Sequence, residues 1–285
     1  VRLGLSTPIV VQVPGVAGDW EDSATIDDLA LIAETADCLG FDYLTCSEHV
    51  AIPRAVAPTR GAVYWDPLAT LGFLAARTSK IRLASSVVVL GYHHPLEIAK
   101  RYGTLDTVSR GRLILGVGIG SLAEEFELLD AAWERRAARA DDAIAALRTA
   151  LSTNCPEYRG EFYEFADMIV DPCAVQPRVP IWVGGRTVAS LRRAERLADG
   201  WMPFGLTPDA VRVMLDDVDI PTGFVVALST VLDPQADPAV VRDRLKELRR
   251  AGATATTVAI KARSAVHYCQ QLERLWDVAT GGTGY

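Results

Sequence analysis

The chain has little of what would mark several common functional classes. Its five cysteines (Cys38, Cys46, Cys155, Cys173 and Cys269) are odd in number and include no CxxC pair. That argues against a disulfide framework or a zinc site, and a reducing cytoplasm is the expected compartment. The four histidines show no HxxxH or HxH spacing. No long basic block occurs in a chain of net charge −7, so a nucleic-acid surface is not expected. No apolar run approaches the ~18 residues a membrane helix needs, and the opening VRLGLSTPIVVQVPG is too short and broken for a signal peptide. No repeat, low-complexity tract or dividing linker is visible.

What is present is alternation. Apolar, strand-like stretches at residues 2–13, 41–46, 81–89, 112–117, 180–183, 200–204, 223–230 and 254–262 are each followed by a segment with helical spacing. Asp66-Pro67 reads as a helix start, with Asp as N-cap and Pro in the first turn. Gly40 and Gly252 read as helix ends. The helical stretch 121–151 has a break expected near 132–135. Residues 54–64 read as a loop. Residues 152–179, rich in Pro, Gly and aromatics, read as an irregular insertion with short strands. The tail from Gly281 is expected to fray. Eight strand–helix units in 285 residues predict one α/β domain over 1–285. The fold class is a closed (β/α)8 TIM barrel with the insertion between strands four and five.

Ligands in such folds sit past the C-terminal strand ends. Gly116-Val-Gly-Ile-Gly120 follows the fourth strand. Its spacing is one residue short of GxGxxG, and no strand ends with an acid ~20 residues on, so a dinucleotide fold is disfavoured. Glycines there suit close approach of a flat ring or a phosphate, or simply a tight turn. Gly184-Gly185-Arg186-Thr187 opens a helix after the fifth strand. Its backbone amides, guanidinium and hydroxyl suit a phosphate. His49, beside Glu48 at the end of the second strand, is the candidate proton carrier. His93 and His94 are weaker candidates, with His94 expected to shape the turn before Pro95. His267 reads as structural or exposed. Trp182 and Trp201 read as core; Trp20 and Trp65 suit either packing or an aromatic ligand wall.

Four motifs, SEHV, SSVVVLGYHHPLEIAK, GRLILGVGIG and IWVGGRTVASLRRAERLADGW, occur in that order. Together they resemble the bacterial luciferase-like superfamily, and most closely its branch that uses the deazaflavin coenzyme F420. The resemblance implies a deazaflavin or flavin at the barrel's C-terminal mouth. It implies a non-proline cis peptide at Ser86–Val87, with Ser86, Val87 and Val88 backing the ring. Glu48 and His49 match the pair that meets the ring and substrate. Gly118 and Gly120 would flank the ring with Ser121 beside the cofactor, and Gly184, Gly185, Arg186 and Thr187 would hold the cofactor phosphate. Two positions depart from the pattern. Ser121 stands where some deazaflavin enzymes carry a glutamate acid, and His93 stands where many relatives have arginine.

The expected function is therefore hydride transfer between coenzyme F420 and a small organic substrate. His49 would give a proton or hydrogen bond, and Glu48 would orient His49 or contact the ring. An FMN-dependent monooxygenase fed by a partner reductase is the alternative. A cofactor-binding barrel without turnover is the second alternative. The resemblance is compatible with a homodimer, and the sequence leaves the oligomeric state open.

Overall fold

The computed structural model describes residues 2–281. Eight parallel strands close a ring: β1 (Arg2–Ser6), β2 (Tyr43–Cys46), β3 (Arg82–Ser85), β4 (Leu113–Gly118), β5 (Ile181–Gly184), β6 (Gly200–Met202), β7 (Val225–Leu232) and β8 (Ala255–Ile260). Each pairs with its chain neighbours, and β1 with β8 completes the circle. The strands alternate with α1 (Ile26–Leu39), α2 (Pro67–Arg77), α3 (Pro95–Val108), α4 (Arg136–Ala150), α5 (Val188–Leu197), α6 (Pro208–Asp216), α7 (Pro238–Arg250) and α8 (Ala265–Thr280). This is the (β/α)8 barrel expected from the alternation.

Local chemistry sets the helix ends. Thr25 and Asp28 cap α1 reciprocally, and Gly40 ends it at φ 95°. The Asp66 carboxylate accepts the Ala69 N–H at 2.8 Å, with Pro67 in the first turn of α2. His94 Nδ1 accepts the Leu96 N–H at 3.2 Å ahead of Pro95, so His94 does shape that turn.

The core has two parts. Aliphatic side chains such as Leu44, Leu74, Leu115 and Ile144 fill the layer between strands and helices. Inside the ring, Tyr43, Ile114, Trp182, Met202 and Val225 plug the barrel, with Tyr43 and Trp182 edge to face at 5.2 Å. Gly4 admits the Tyr43 ring, since a Cβ there would stand 2.1 Å from it. Trp201 is also buried, in the outer layer.

Residues 152–179 form the insertion between β4 and β5, built around an antiparallel pair, Tyr158–Arg159 with Glu164–Phe165. Asp142 on α4 accepts the Tyr158 hydroxyl at 2.5 Å and the Phe162 and Tyr163 N–H groups at 2.7 and 3.0 Å. Buried Asp106 takes the Val175 and Gln176 amides and so ties the return of the insertion to α3.

Several boundaries differ from the sequence expectation. The first strand stops at Ser6, because Pro8 has no N–H to donate and Ile9 turns to φ 74°. Loop 54–64 contains a helical turn, Ala57–Arg60. The helical stretch after β4 splits into Ala123–Leu128 and α4, near the expected break. Gly281 caps α8 in a left-handed conformation, and the rest of the tail, 282–285, lies outside the described residues. The third strand is the informative difference. Its expected run 81–89 is interrupted after Ser85, and Val88–Val89 pairs with β4 alone.

Candidate active site

The interruption in the third strand is a bend whose Ser86–Val87 peptide is cis, as the resemblance implied. Residues after β2 clamp it at both ends. The Ser47 hydroxyl donates to the Ser86 carbonyl at 2.7 Å, and the Glu48 carboxylate accepts the Val89 N–H at 2.6 Å. Facing strands make room for it. A Cβ on Gly116 would lie 1.9 Å from the Ser85 carbonyl oxygen, and Cβ atoms on Gly118 and Gly184 would lie 2.5 and 2.8 Å from Val87 methyls. A Cβ on Gly120, at φ 79°, would lie 2.4 Å from the Phe126 ring. These glycines are thus explained first by protein packing around the bend, before any ligand is considered.

The structure separates the two residues that sequence paired. Glu48 does not hold His49. Its second oxygen meets His93 Nε2 at 2.8 Å, and His93 Nδ1 lies 3.7 Å from Glu97. Adjacent residues after a strand end point to different sides, so proximity in sequence misled. His49 Nδ1 instead lies 2.6 Å from Glu125, on the short helix Ala123–Leu128 after β4. Glu125 is 1% exposed as a side chain. It also accepts the Val50 and Ala51 amides at 2.8 and 3.2 Å and the Tyr92 hydroxyl at 3.0 Å. Burial pushes the Glu125 carboxyl up, but the His49 and backbone hydrogen bonds outweigh this and hold it below the ordinary carboxylate range. An ionised Glu125 only accepts, so His49 Nδ1 carries a hydrogen. Among the described residues only Nδ1 of His49 has a hydrogen-bond partner, and the Tyr64 ring stands edge to face at 4.5 Å. Burial and the neighbouring Glu125 raise the Tyr92 phenol, keeping it a neutral donor.

Sequence reading missed Glu125 and Tyr92. Glu125 sits in the acidic run Glu124-Glu125-Phe126-Glu127, which reads as a solvated face. The one usable signal was its place beside buried Phe126.

Across the mouth, after β5, Gly185 adopts φ 140° and Thr187 caps α5 with Ser190. The Thr187 hydroxyl oxygen accepts the Ser190 amide at 3.2 Å, which leaves its hydrogen for a further acceptor. Among the described residues the first-turn amides of Val188 and Ala189 have no acceptor. Arg186 is exposed, faces the Phe204 ring at 5.7 Å and pairs with no carboxylate among the described residues. This donor set fits a phosphate. By contrast, a cavity of about 280 Å³ at the opposite end of the barrel is lined by Arg2, Arg82, Arg178 and Asp199. Its guanidinium groups pair with Asp42 or Asp199, so they stabilise that end. His267 is a buried structural histidine, within 3.0 Å of Gln235 and Gln271. Trp20 and Trp65 pack against the core. Among the described residues no metal-holding cluster occurs, and no helix is long and apolar enough to cross a membrane.

The C-terminal mouth of this parallel barrel thus carries a carboxylate-backed histidine after β2 and a donor set of phosphate-binding type after β5. Residues 1–276 match the luciferase-like monooxygenase family, and the chain belongs to it. An uncharacterized protein of Mycobacterium tuberculosis is 30% identical over 266 residues, covering 86% of this chain and 92% of its own. An F420-dependent glucose-6-phosphate dehydrogenase of Amycolatopsis mediterranei is 30% identical over 181 residues, 61% of this chain and 52% of its own. The crystal structure of a monooxygenase from Streptomyces bottropensis superposes with a TM-score of 0.76 at 20% identity, covering 100% of both chains.

Proposed function

We propose that the protein is a coenzyme F420-dependent oxidoreductase that moves a hydride between the deazaflavin ring and a small organic substrate, a carbonyl compound or an activated alkene. The observation that carries the reading is His49, hydrogen-bonded through Nδ1 to buried Glu125 and open at Nε2. Reducing a carbonyl needs a hydride on carbon and a proton on oxygen. Bound deazaflavin supplies two-electron hydride chemistry. His49 Nε2 supplies or takes the proton, while Glu125 fixes its ring plane and tautomer. Arg186 and the first turn of α5 would hold the cofactor phosphate. Val87, at the bend between Gly118 and Gly184, would stand behind the ring. The F420-dependent relative supports this choice of cofactor.

The second reading, an FMN-dependent monooxygenase, is supported by a relative that is the oxygenase component of a flavin-dependent monooxygenase of Acinetobacter baylyi, 27% identical over 181 residues, 62% of this chain and 48% of its own. Titration of the chain with each cofactor tests the choice. Micromolar affinity for coenzyme F420, weakened at least tenfold in Arg186→Ala, is the expected result. Tight FMN binding with no deazaflavin binding overturns it.

A further inference from the structure

Arg60 is a cation at the mouth that pairs with no carboxylate among the described residues. It lies at the end of the helical turn Ala57–Arg60, in the loop after β2, and is half-buried. Its one side-chain hydrogen bond goes to the Ser121 hydroxyl, in the loop after β4, at 2.9 Å. Most other half-buried or buried arginines of the molecule have an acid or several carbonyls. Arg82 pairs with Asp42, Arg148 with Asp199, Arg193 with Asp141, Arg244 with Glu247, and Arg112 with four backbone carbonyls and Thr78.

The position of Arg60 is tied to the proposed proton carrier. Its own carbonyl accepts the Tyr64 hydroxyl at 2.7 Å, and the Tyr64 ring packs on His49. Its charge is felt at both Tyr64 and Tyr92, the phenols beside His49 and Glu125. Because Ser121 Oγ already accepts from Arg60, its own hydrogen is free to point to a further acceptor. The pair therefore offers guanidinium N–H groups and one O–H, with no acceptor of its own left to satisfy them. The cofactor phosphate is assigned above to α5, after β5. In the ring, β3 and β4 lie between β2 and β5. Arg60 is thus placed for a different anion.

We infer that Arg60 and Ser121 form a subsite for a carboxylate on the substrate, so that the enzyme acts on small organic acids whose reacting carbon lies next to His49. This deepens the proposed function by naming the substrate class, and it assumes only that this mouth binds the substrate. A guanidinium offers two parallel donors that match a carboxylate, and a charged hydrogen bond discriminates strongly against a neutral amide of the same shape.

The experiment is calorimetric binding of six carboxylates, graded in size from acetate to cinnamate, each compared with its primary amide. It uses the full chain with and without coenzyme F420. At least one acid is expected to bind about tenfold more tightly than its amide. In Arg60→Met that preference falls below about twofold while the amide's affinity is unchanged. Ser121→Glu, which places a carboxylate against Arg60, abolishes the preference in the same way. Circular dichroism melts confirm that both variants fold. Equal binding of every acid and amide, binding of none, or a preference that survives Arg60→Met overturns the inference. So does a tenfold loss of coenzyme F420 affinity in Arg60→Met, which would make Arg60 a cofactor residue. The acid–amide comparison needs no deazaflavin, so failure of the cofactor reading leaves a distinct signature.

Discussion

Two carboxylate–histidine pairs stand at the same mouth and differ in what each histidine has left to offer. Glu125–His49 and Glu48–His93 have similar separations, 2.6 and 2.8 Å, and both histidine side chains are 16% exposed. In each pair the glutamate also accepts backbone amides from a neighbouring loop: Val50 and Ala51 for Glu125, Val89 for Glu48. Each glutamate therefore fastens the loop of another strand, and the two together lock the loops after β2, β3 and β4. The difference lies in the unused nitrogen. His93 directs Nε2 to Glu48 and Nδ1 towards Glu97, so both are engaged. His49 spends only Nδ1. Under the proposed function, it is this second nitrogen that makes His49 the proton carrier and leaves His93 a part of the frame.

Removing each histidine should separate the pairs most widely. For His49→Ala, kcat for hydride transfer is expected to fall about 10²- to 10⁴-fold with cofactor affinity retained. For His93→Gln, whose amide still reaches Glu48, kcat should stay within about fivefold, because an amide donor replaces the bond that matters. Steady-state rates beside fluorescence titration of the cofactor check both. Equal losses in the two variants would break the comparison.

The glutamates come next. In Glu125→Gln the amide keeps the shape but leaves His49 Nδ1, two backbone amides and a phenol competing for one neutral acceptor. A stability loss of about 1–3 kcal/mol is expected, with kcat reduced about 10- to 100-fold. Glu48→Gln should cost about 1–2 kcal/mol and change kcat less, since its partners hold the bend. Urea melts read the first quantity and rates the second. If Glu48→Gln proves the more damaging to kcat, Glu48 belongs to the reacting centre after all.

The sequence made the barrel legible because strand and helix periods are local properties. Asp66-Pro67, Gly40 and the all-buried run Leu113–Gly118 signal their roles within a few residues. His49 was legible too, from its place past a strand end. Its partner was not, because Glu125 is 76 residues away and meets it only when β2 and β4 are brought to one mouth. The glycines carry a second meaning that spacing does not show. Gly118 was expected to flank a ring and Gly184 to help hold a phosphate, and both are also required where Val87 packs at the interrupted third strand. Arg60 was hidden for a similar reason, since its lack of a partner is a property of space and not of spacing.

The smallest effect sharpens the comparison through pH. Burial alone would lower the His93 imidazole, but the hydrogen bond and charge of Glu48 more than offset this and raise it above its ordinary value of 6.5. A raised folded-state value means that the stabilisation is fully present below about pH 6.5 and is lost as pH rises through the folded value. The gap in Tm between the native chain and His93→Gln should therefore be widest near pH 6 and narrow by pH 9. Glu125 carries the opposite sign. Its lowered folded-state value means that its contribution is present above the unfolded carboxylate range of about 4.3 and is lost as pH falls through the folded value. The gap for Glu125→Gln should stay constant from pH 6 to pH 9 and close only in acid. Two pairs of nearly the same geometry would then loosen at opposite ends of the pH scale. That follows if protonated His93 is the buried partner of Glu48 and ionised Glu125 the fixed support of His49. Parallel pH profiles for the two variants would show that both pairs share one electrostatic role.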